Sequence, residues 1–401
     1  MKNILFDLTS IQPVSASGTD FHGGGKYAKT VFYRLCDMLP DNTLMEVFFD
    51  PNRSIEKAIL ETCQVRQFKV HQCRGNEDLS ELLHYGAYDT FYSALPYSYI
   101  NIVVPPSTKF VYTVHGLRDL EHPADKYELK YKKVNIKIII KHILFLLFPS
   151  WWKSNRTKQR RNRYNSLFSL TENQTIIIVS NHSKHAIRYF FPNISDSEIR
   201  VLYSPEKQYN PADTVASQIL HTLSLQAGKY VFMICGDRSE KGAYRACKVL
   251  DKLIRLNKIP EDIRILVLGV SYRKSYQILT KNSKRFEWCD YVSSMELEIL
   301  YKNAHLFIYP TLNEGFGYPP LEAMKYGTLC ACSANSAITE VCGDAVIYFN
   351  PHDETEMGIR IMQAFDNEIR MEKQEKMSAR CRFIGDKQKK DLDLLIKEII
   401  P

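Results

Sequence analysis

Among the ten cysteines of this 401-residue chain there is no Cys-x-x-Cys pair, and no Cys/His cluster stands at metal-ligand spacing. The nearest two are Cys330 and Cys332, and the rest are scattered. That argues against a zinc module or a disulfide framework and for small buried hydrophobes in a reducing compartment. Also missing is an unbroken apolar run of the roughly 20 residues that a spanning helix needs. The most apolar stretch is interrupted by Lys141 and His142. The start, "MKNILFDLTSIQP", opens on a strand-like run without a signal-peptide layout, so a cytoplasmic protein is expected. No repeat of solenoid period occurs. G-x-G-x-x-G is absent, which removes the dinucleotide fingerprint. A nucleotide P-loop fails as well, because Asp20 and Tyr27 stand where it demands Gly and Ser or Thr.

What is present is enough apolar material for sizeable cores, 45% hydrophobic and 12% aromatic residues, which excludes a disordered polymer. The length predicts two domains. The net charge of +8 is not spread evenly. Residues 126–165 hold twelve Lys and Arg against one acid, Glu128, a net +11, so the remainder carries −3. Basicity confined to one segment argues against a general nucleic-acid surface, and no nucleic-acid partner is expected.

Short runs rich in β-branched and aromatic residues recur along the first half: "NILFDLT", "LMEVFFD", "YDTFYSA", "KFVYTVHG", "TIIIVS" and "IRVLYS". They are continuous rather than alternating, as strands buried on both faces of a parallel sheet require. After a polar stretch the pattern restarts with "KYVFMICG", "IRILVLG", "CDYVS", "HLFIYPT", "TLCACS" and "AVIYFN", separated by helical stretches such as 242–257 and 294–304. Two such series predict an α/β chain of two doubly wound, Rossmann-like domains facing a cleft. The expected division is an N-terminal domain over 1–205 with an insert at 126–165, a linker over 206–218, and a C-terminal domain over 219–384. A terminal amphipathic helix over 385–401 could cross back to the N-terminal domain.

In doubly wound sheets, ligands bind beyond the carboxyl ends of strands. Four loops there carry candidate chemistry. Gly23, Gly24 and Gly25 open a helix, so their N–H groups could approach a phosphate, or form only a flexible turn. His115 ends the strand "KFVYTV". Arg238 and Lys241 precede a helix, where two cations could offset a diphosphate or could be solvated surface charges. In "TLNEGFGYPPLEAMKYG", Glu314 and Glu322 flank Gly315, Phe316 and Gly317, and Pro319 and Pro320 suit a helix start. Glu322 is expected in that first turn, where it could cap the helix. A carboxylate accepts two hydrogen bonds in a fork that suits vicinal sugar hydroxyls. Two carboxylates could equally serve glycoside hydrolysis, and spacing alone does not decide.

In the basic insert, Lys133, Lys137 and Lys141 recur every four residues, and Ile136, Ile139, Ile140, Ile143 and Leu147 fall largely on the other face. Trp151 and Trp152 follow, then a cationic run with Arg160 and Arg161. An interfacial helix with aromatic anchors, drawn to an anionic membrane, fits this pattern. A core helix with a solvated basic exit is the alternative.

The run Tyr291–Asn350 resembles the C-terminal half of the retaining glycosyltransferase family 4, which has the two-domain GT-B architecture. Glu314 and Glu322 match its E-x-seven-E signature, and "ITEVCGDAV" its PEV-GDA segment, with Thr339 for Pro. Weaker similarity reaches "IIIVSNHSK", "GDRSEKG" and the early glycine loop. The resemblance implies a nucleotide diphosphate sugar as donor substrate, no bound cofactor or metal, and a hexose moved to a saccharide or lipid-linked acceptor. Acceptors of that kind belong to bacterial lipopolysaccharide or capsule assembly at the inner face of the plasma membrane. It implies that Glu322 holds the ribose and Glu314 the donor sugar, steadied by N–H groups near Gly315, Phe316 and Gly317. Arg238 and Lys241 would neutralise the diphosphate, Gly24 and Gly25 approach it, and His115 contact the sugar. Arg238 and Lys241 stand three apart where many members space the pair by five, and the frequent His-Asp is His115-Gly116. Alternatives are a sugar epimerase or phosphorylase of the same architecture, and an inactive adaptor binding membrane or RNA through 126–165.

Overall fold

The computed structural model describes residues 2–13, 23–99, 101–131, 136–206, 216–234, 237–270, 276, 280 and 283–401. Asp20, Lys133 and most of the linker expected at 206–218 lie outside them.

Contacts divide the chain into two compact units. The first comprises Met1–Leu120, Lys158–Gln208 and Gly385–Pro401. Its seven-stranded sheet is built from β1 (Lys2–Asp7), β2 (Thr43–Phe49), β3 (Lys69–Gln72), β4 (Thr90–Ser93), β5 (Lys109–Val114), β6 (Gln174–Ile178) and β7 (Ile199–Val201), in the order β3-β2-β1-β4-β5-β6-β7. The second unit comprises Glu121–Thr157 and Tyr209–Ile384. Its six strands are β8 (Tyr230–Ile234), β9 (Arg264–Leu268), β10 (Phe286–Cys289), β11 (Leu306–Tyr309), β12 (Cys330–Ser333) and β13 (Ile347–Phe349), in the order β10-β9-β8-β11-β12-β13. The strand pairs within each sheet are parallel. The helices that matter below are α1 (Gly23–Met38), α2 (Ile136–Leu147), α3 (Pro149–Phe168), α4 (Ala243–Arg255), α5 (Tyr318–Lys325), α6 (Ser336–Cys342) and α7 (Asn367–Ile399).

Burial on both sheet faces explains the continuous apolar runs. In β8, Val231 and Met233 join one core, with Leu250 and Ile308, while Tyr230 and Phe232 join another, with Leu266 and Phe307. The nine described cysteines are free thiols, mostly buried, and burial pushes Cys36 and Cys73 up to about 12. They behave as packing residues.

Three expectations change. The strand expected at "CDYVS" is β10 instead, because Phe286 and Trp288 are buried and the segment pairs with Ile265–Leu268. The terminal helix begins at Asn367 rather than 385. Within the first unit its final turns are fixed by Gln388 Nε2 donating to Ser204 O (2.6 Å) and Tyr203 N donating to Asp391 Oδ2 (2.8 Å). The insert, assigned above to the N-terminal domain, counts with the second unit as far as Thr157. Arg245 grips Asp125 at 2.5 and 3.1 Å with both side chains 3% exposed, and Tyr244 N donates to Tyr131 OH (2.9 Å).

Candidate functional site

In the second sheet the strand order reverses between β8 and β11, which is where a doubly wound sheet opens a crevice for ligands. The loop after β11 is held in place from several sides. Leu312 N donates to Glu240 O (2.6 Å), Ser333 Oγ to Thr311 O (2.6 Å), and Asn335 Nδ2 to Leu312 O (2.9 Å). Glu314 N donates to Ser336 Oγ (2.9 Å), and Ser336 adopts φ +48° to start α6. Gly242 is required by this packing: at φ +66° it caps α4, and a Cβ there would lie 1.9 Å from Pro310 O.

The loop delivers Glu314 into a buried position, 7% exposed. Its Oε1 accepts from Lys241 Nζ (2.5 Å), Tyr309 OH (2.7 Å) and Thr311 Oγ1 (3.1 Å). Lys241, 5% exposed, also donates to Tyr309 OH (2.6 Å). The sequence separated these two residues by role; the structure pairs them. Arg238 stays outside the couple, exposed, with Nε 3.8 Å from Glu240 Oε1.

Gly315, Phe316 and Gly317 are buried as well. Gly317 caps α5 at φ +105°, where a Cβ would meet Ile338 Cδ1 at 2.6 Å. Glu322 falls in the second turn of α5, not the first, because the helix starts at Tyr318. It therefore does not cap. Its Oε2 accepts from Tyr301 OH (3.1 Å).

In the first unit Gly24 and Gly25 lie in the first turn of α1, and a Cβ on Gly24 would sit 2.8 Å from Leu95 Cδ2. His115 follows β5; its Nε2 is 3.0 Å from Ala94 O, so that nitrogen carries the proton. The ring stands edge-on to Tyr27, centroids 4.7 Å apart.

The residues proposed for membrane contact are not equivalent. Lys137, Lys141 and Arg161 are exposed, and Trp151 is 60% exposed. Trp152 is half-buried, with the Arg156 guanidinium 5.2 Å from its ring. Arg160 is half-buried and donates to Asp119 O (2.7 Å). The apolar face of α2 is not in a core: Ile136, Ile139, Ile140, Ile143, Leu146 and Leu147 are all exposed. No described helix is long and apolar enough to cross a membrane.

Sequence reasoning missed Tyr309, Thr311, Ser336, Tyr301 and Asn313. A tyrosine ending a buried strand reads as core, and hydroxyls in a turn read as turn chemistry. Asn313 is 6% exposed; Nδ2 donates to Glu121 Oε2 (2.9 Å) while Oδ1 has no hydrogen-bond partner among the described residues. Its place next to Glu314 was the available signal.

Residues 222–397 match the family described as Glycosyl transferases group 1. Over 95 residues the chain is 33% identical to O-antigen chain mannosyltransferase B of Escherichia coli, a stretch that spans 23% of this chain and 25% of that protein. Two solved structures follow nearly the whole chain. A glycosyltransferase from Rickettsia africae aligns over 99% of this chain and 98% of its own, with TM-score 0.62 and 13% identity. HepE from Anabaena, solved with UDP and glucose, aligns over 100% and 98%, with TM-score 0.58 and 14% identity. This chain thus has the two-unit Rossmann-like fold of solved glycosyltransferases, and its residues 222–397 are similar in sequence to Glycosyl transferases group 1.

Proposed function

We propose that this chain is a retaining glycosyltransferase of family 4, with the GT-B arrangement. It moves a hexose from a nucleotide diphosphate sugar to a saccharide acceptor, lipid-linked, in the assembly of bacterial surface polysaccharide. The observation that carries this reading is Glu314: a buried carboxylate with three converging donors, set by a glycine-capped helix at the reversal point of a parallel sheet. The similarity to an O-antigen mannosyltransferase makes mannose the first hexose to test. The solved neighbour with UDP and glucose supports a nucleotide sugar as donor.

The chemistry follows from the side chains. Glu314 accepts hydrogen bonds from donor-sugar hydroxyls in place of those it now receives, which releases Lys241 toward the phosphates. Lys241 and the exposed Arg238 then stabilise charge that develops on the leaving diphosphate, and this supplies what a metal would. Glu322, oriented by Tyr301, takes the ribose hydroxyls, and backbone N–H groups at Gly315, Phe316 and Gly317 steady the sugar. Gly24 and Gly25 meet the diphosphate, and His115 contacts the donor sugar. Retention proceeds with the leaving phosphate helping to deprotonate the acceptor hydroxyl on the same face. The chain's single Asp-x-Asp fits metal independence, since Asp391 accepts from Tyr203 N and Asp393 from Arg34. The exposed apolar face of α2, the exposed Trp151 and the surrounding cations hold the protein at an anionic membrane surface, where a lipid-linked acceptor resides.

Purified protein is expected to turn over one of a panel of UDP- and GDP-hexoses. Glu322→Ala should raise KM for that donor by roughly tenfold or more, the effect of losing a charge-assisted hydrogen bond. Unchanged turnover in Glu322→Ala would remove the assignment.

A further inference from the structure

A cavity of about 260 Å³ opens beside the carboxyl end of β5 in the first unit. Its walls include Tyr97, His115, Arg118, Arg160, Arg163 and Tyr164. Among the described lining residues three carry guanidiniums and one, Asp119, a carboxylate. With histidine neutral the described lining carries net charge +2. Such a surplus in a confined space selects anions, and the planar fork of arginine matches phosphate oxygens in pairs.

The walls are rigid. His115 N donates to Tyr97 OH (2.9 Å), and the Tyr97 and Tyr164 rings meet edge to face at 6.2 Å. Tyr164 packs on Phe168 (6.0 Å) and Phe191 (5.9 Å), and its hydroxyl donates to Gly116 O (3.4 Å). Burial pushes the Tyr97 phenol up to about 12 and raises Tyr164 as well, so both stay neutral O–H groups at physiological pH. Arg160 is braced through Asp119 O. The hollow is small beside the usual ligand pocket of about 300–1,000 Å³; it admits one sugar or a phosphate group, not an oligosaccharide. Nor does it offer the paired carboxylates that a nucleoside's ribose would use.

We propose that this arginine-lined cavity takes a phosphate-bearing group of the acceptor. The phosphate sits among Arg118, Arg160 and Arg163, and the adjoining sugar or chain lies along Tyr97 and Tyr164. The word acceptor rests on the glycosyltransferase reading above; the anion chemistry does not. Two sources carry the same group, a polyprenyl diphosphate and a soluble sugar phosphate. Arg160 and Arg163 stand on α3, whose first turn carries the exposed Trp151.

The test is calorimetric titration of the full chain with farnesyl diphosphate, mannose 6-phosphate and uncharged mannose, with UDP and GDP titrated in parallel. At least one phosphate probe should bind. It should weaken roughly tenfold or more in R118Q/R163Q, as loss of charged donors predicts. The single variant R163Q changes an exposed side chain and guards against misfolding; it should weaken the same probe by a smaller factor. Nucleotide binding should be unchanged in both, which separates this cavity from the Glu322 site. Tight farnesyl diphosphate alone assigns the lipid source; mannose 6-phosphate assigns the soluble one. The proposal is overturned if neither phosphate probe binds, if mannose binds as well as they do, or if R163Q and R118Q/R163Q bind like wild type. Loss of nucleotide binding in wild type would instead count against the transferase reading and leave the phosphate result standing.

Discussion

Lys241 and Glu314 lie 2.5 Å apart at 5% and 7% exposure, so each charge depends on the other. Removing one partner of a buried pair strands an uncompensated charge and costs about 3–5 kcal/mol, whereas replacing both with apolar residues of similar volume is often neutral. Lys241→Ala and Glu314→Ala should each lower unfolding stability by about that amount. Lys241→Met with Glu314→Leu should recover most of it, while donor turnover stays lost in all three. Urea melts alongside a turnover assay check this; a double variant no more stable than the singles would mean the couple is not the unit. These two residues were candidates in the sequence because they stand in glycine-bearing loops after strands and match the resemblance to glycosyltransferase family 4, with a solvated surface charge the other reading of Lys241. Their pairing was not visible. It depends on Tyr309, Thr311 and the φ +48° of Ser336, none of which carries a pattern in one dimension.

At the scale of elements, legibility followed burial. The strands with continuous apolar runs, β1 or β8 for instance, could be read directly because both faces of each sheet are covered. β3 could not: "KVHQ" is an edge strand with three of its four residues exposed, so no apolar run marks it. Tyr291 and Val292 suggested a strand, yet they lie past β10, and Tyr291 is 54% exposed. Helix α2 is the reverse case. Its apolar residues fit an interfacial helix or, as the alternative, a core helix, and Ile136 is 75% exposed and Ile140 and Ile143 about half exposed. An apolar face of this kind, on a helix that also carries the exposed Lys137 and Lys141, suits a lipid interface, where each cation adds about 1 kcal/mol near an anionic surface. The protein should co-sediment with vesicles containing phosphatidylglycerol at low salt and less with pure phosphatidylcholine. Ile140→Asp with Ile143→Asp should abolish it, since both lie on the exposed apolar face of α2. An absence of binding to anionic vesicles at low salt would end the membrane reading.

Over the whole molecule, stability sums contributions from groups that titrate differently when folded, and His305 is one whose sign is clear. Burial, reinforced by the Arg370 guanidinium, lowers its pKa from 6.5 to about 4. Arg370 Nη1 lies 3.3 Å from its Nε2 and donates to His305 O (3.0 Å), and the ring stacks on Phe365 at 5.0 Å. The folded chain therefore binds fewer protons here than the unfolded one. Stability from this residue is fully present above pH 6.5 and is lost as pH falls toward 4. Glu398 acts in a lower window: burial alone would raise it, but Lys109 and Arg200 bring it below 4.5, so its contribution disappears only under that value. The urea midpoint should thus fall in two stages on acidification. His305→Gln keeps a polar group of similar reach but cannot take up the proton, so it should make the upper stage shallower, the remainder coming from His122 and His352, whose pKa values burial also lowers, and leave the lower one. An unchanged slope between pH 6.5 and 4 in that variant would show that the ring is protonated in the folded chain and that Arg370 does not oppose it.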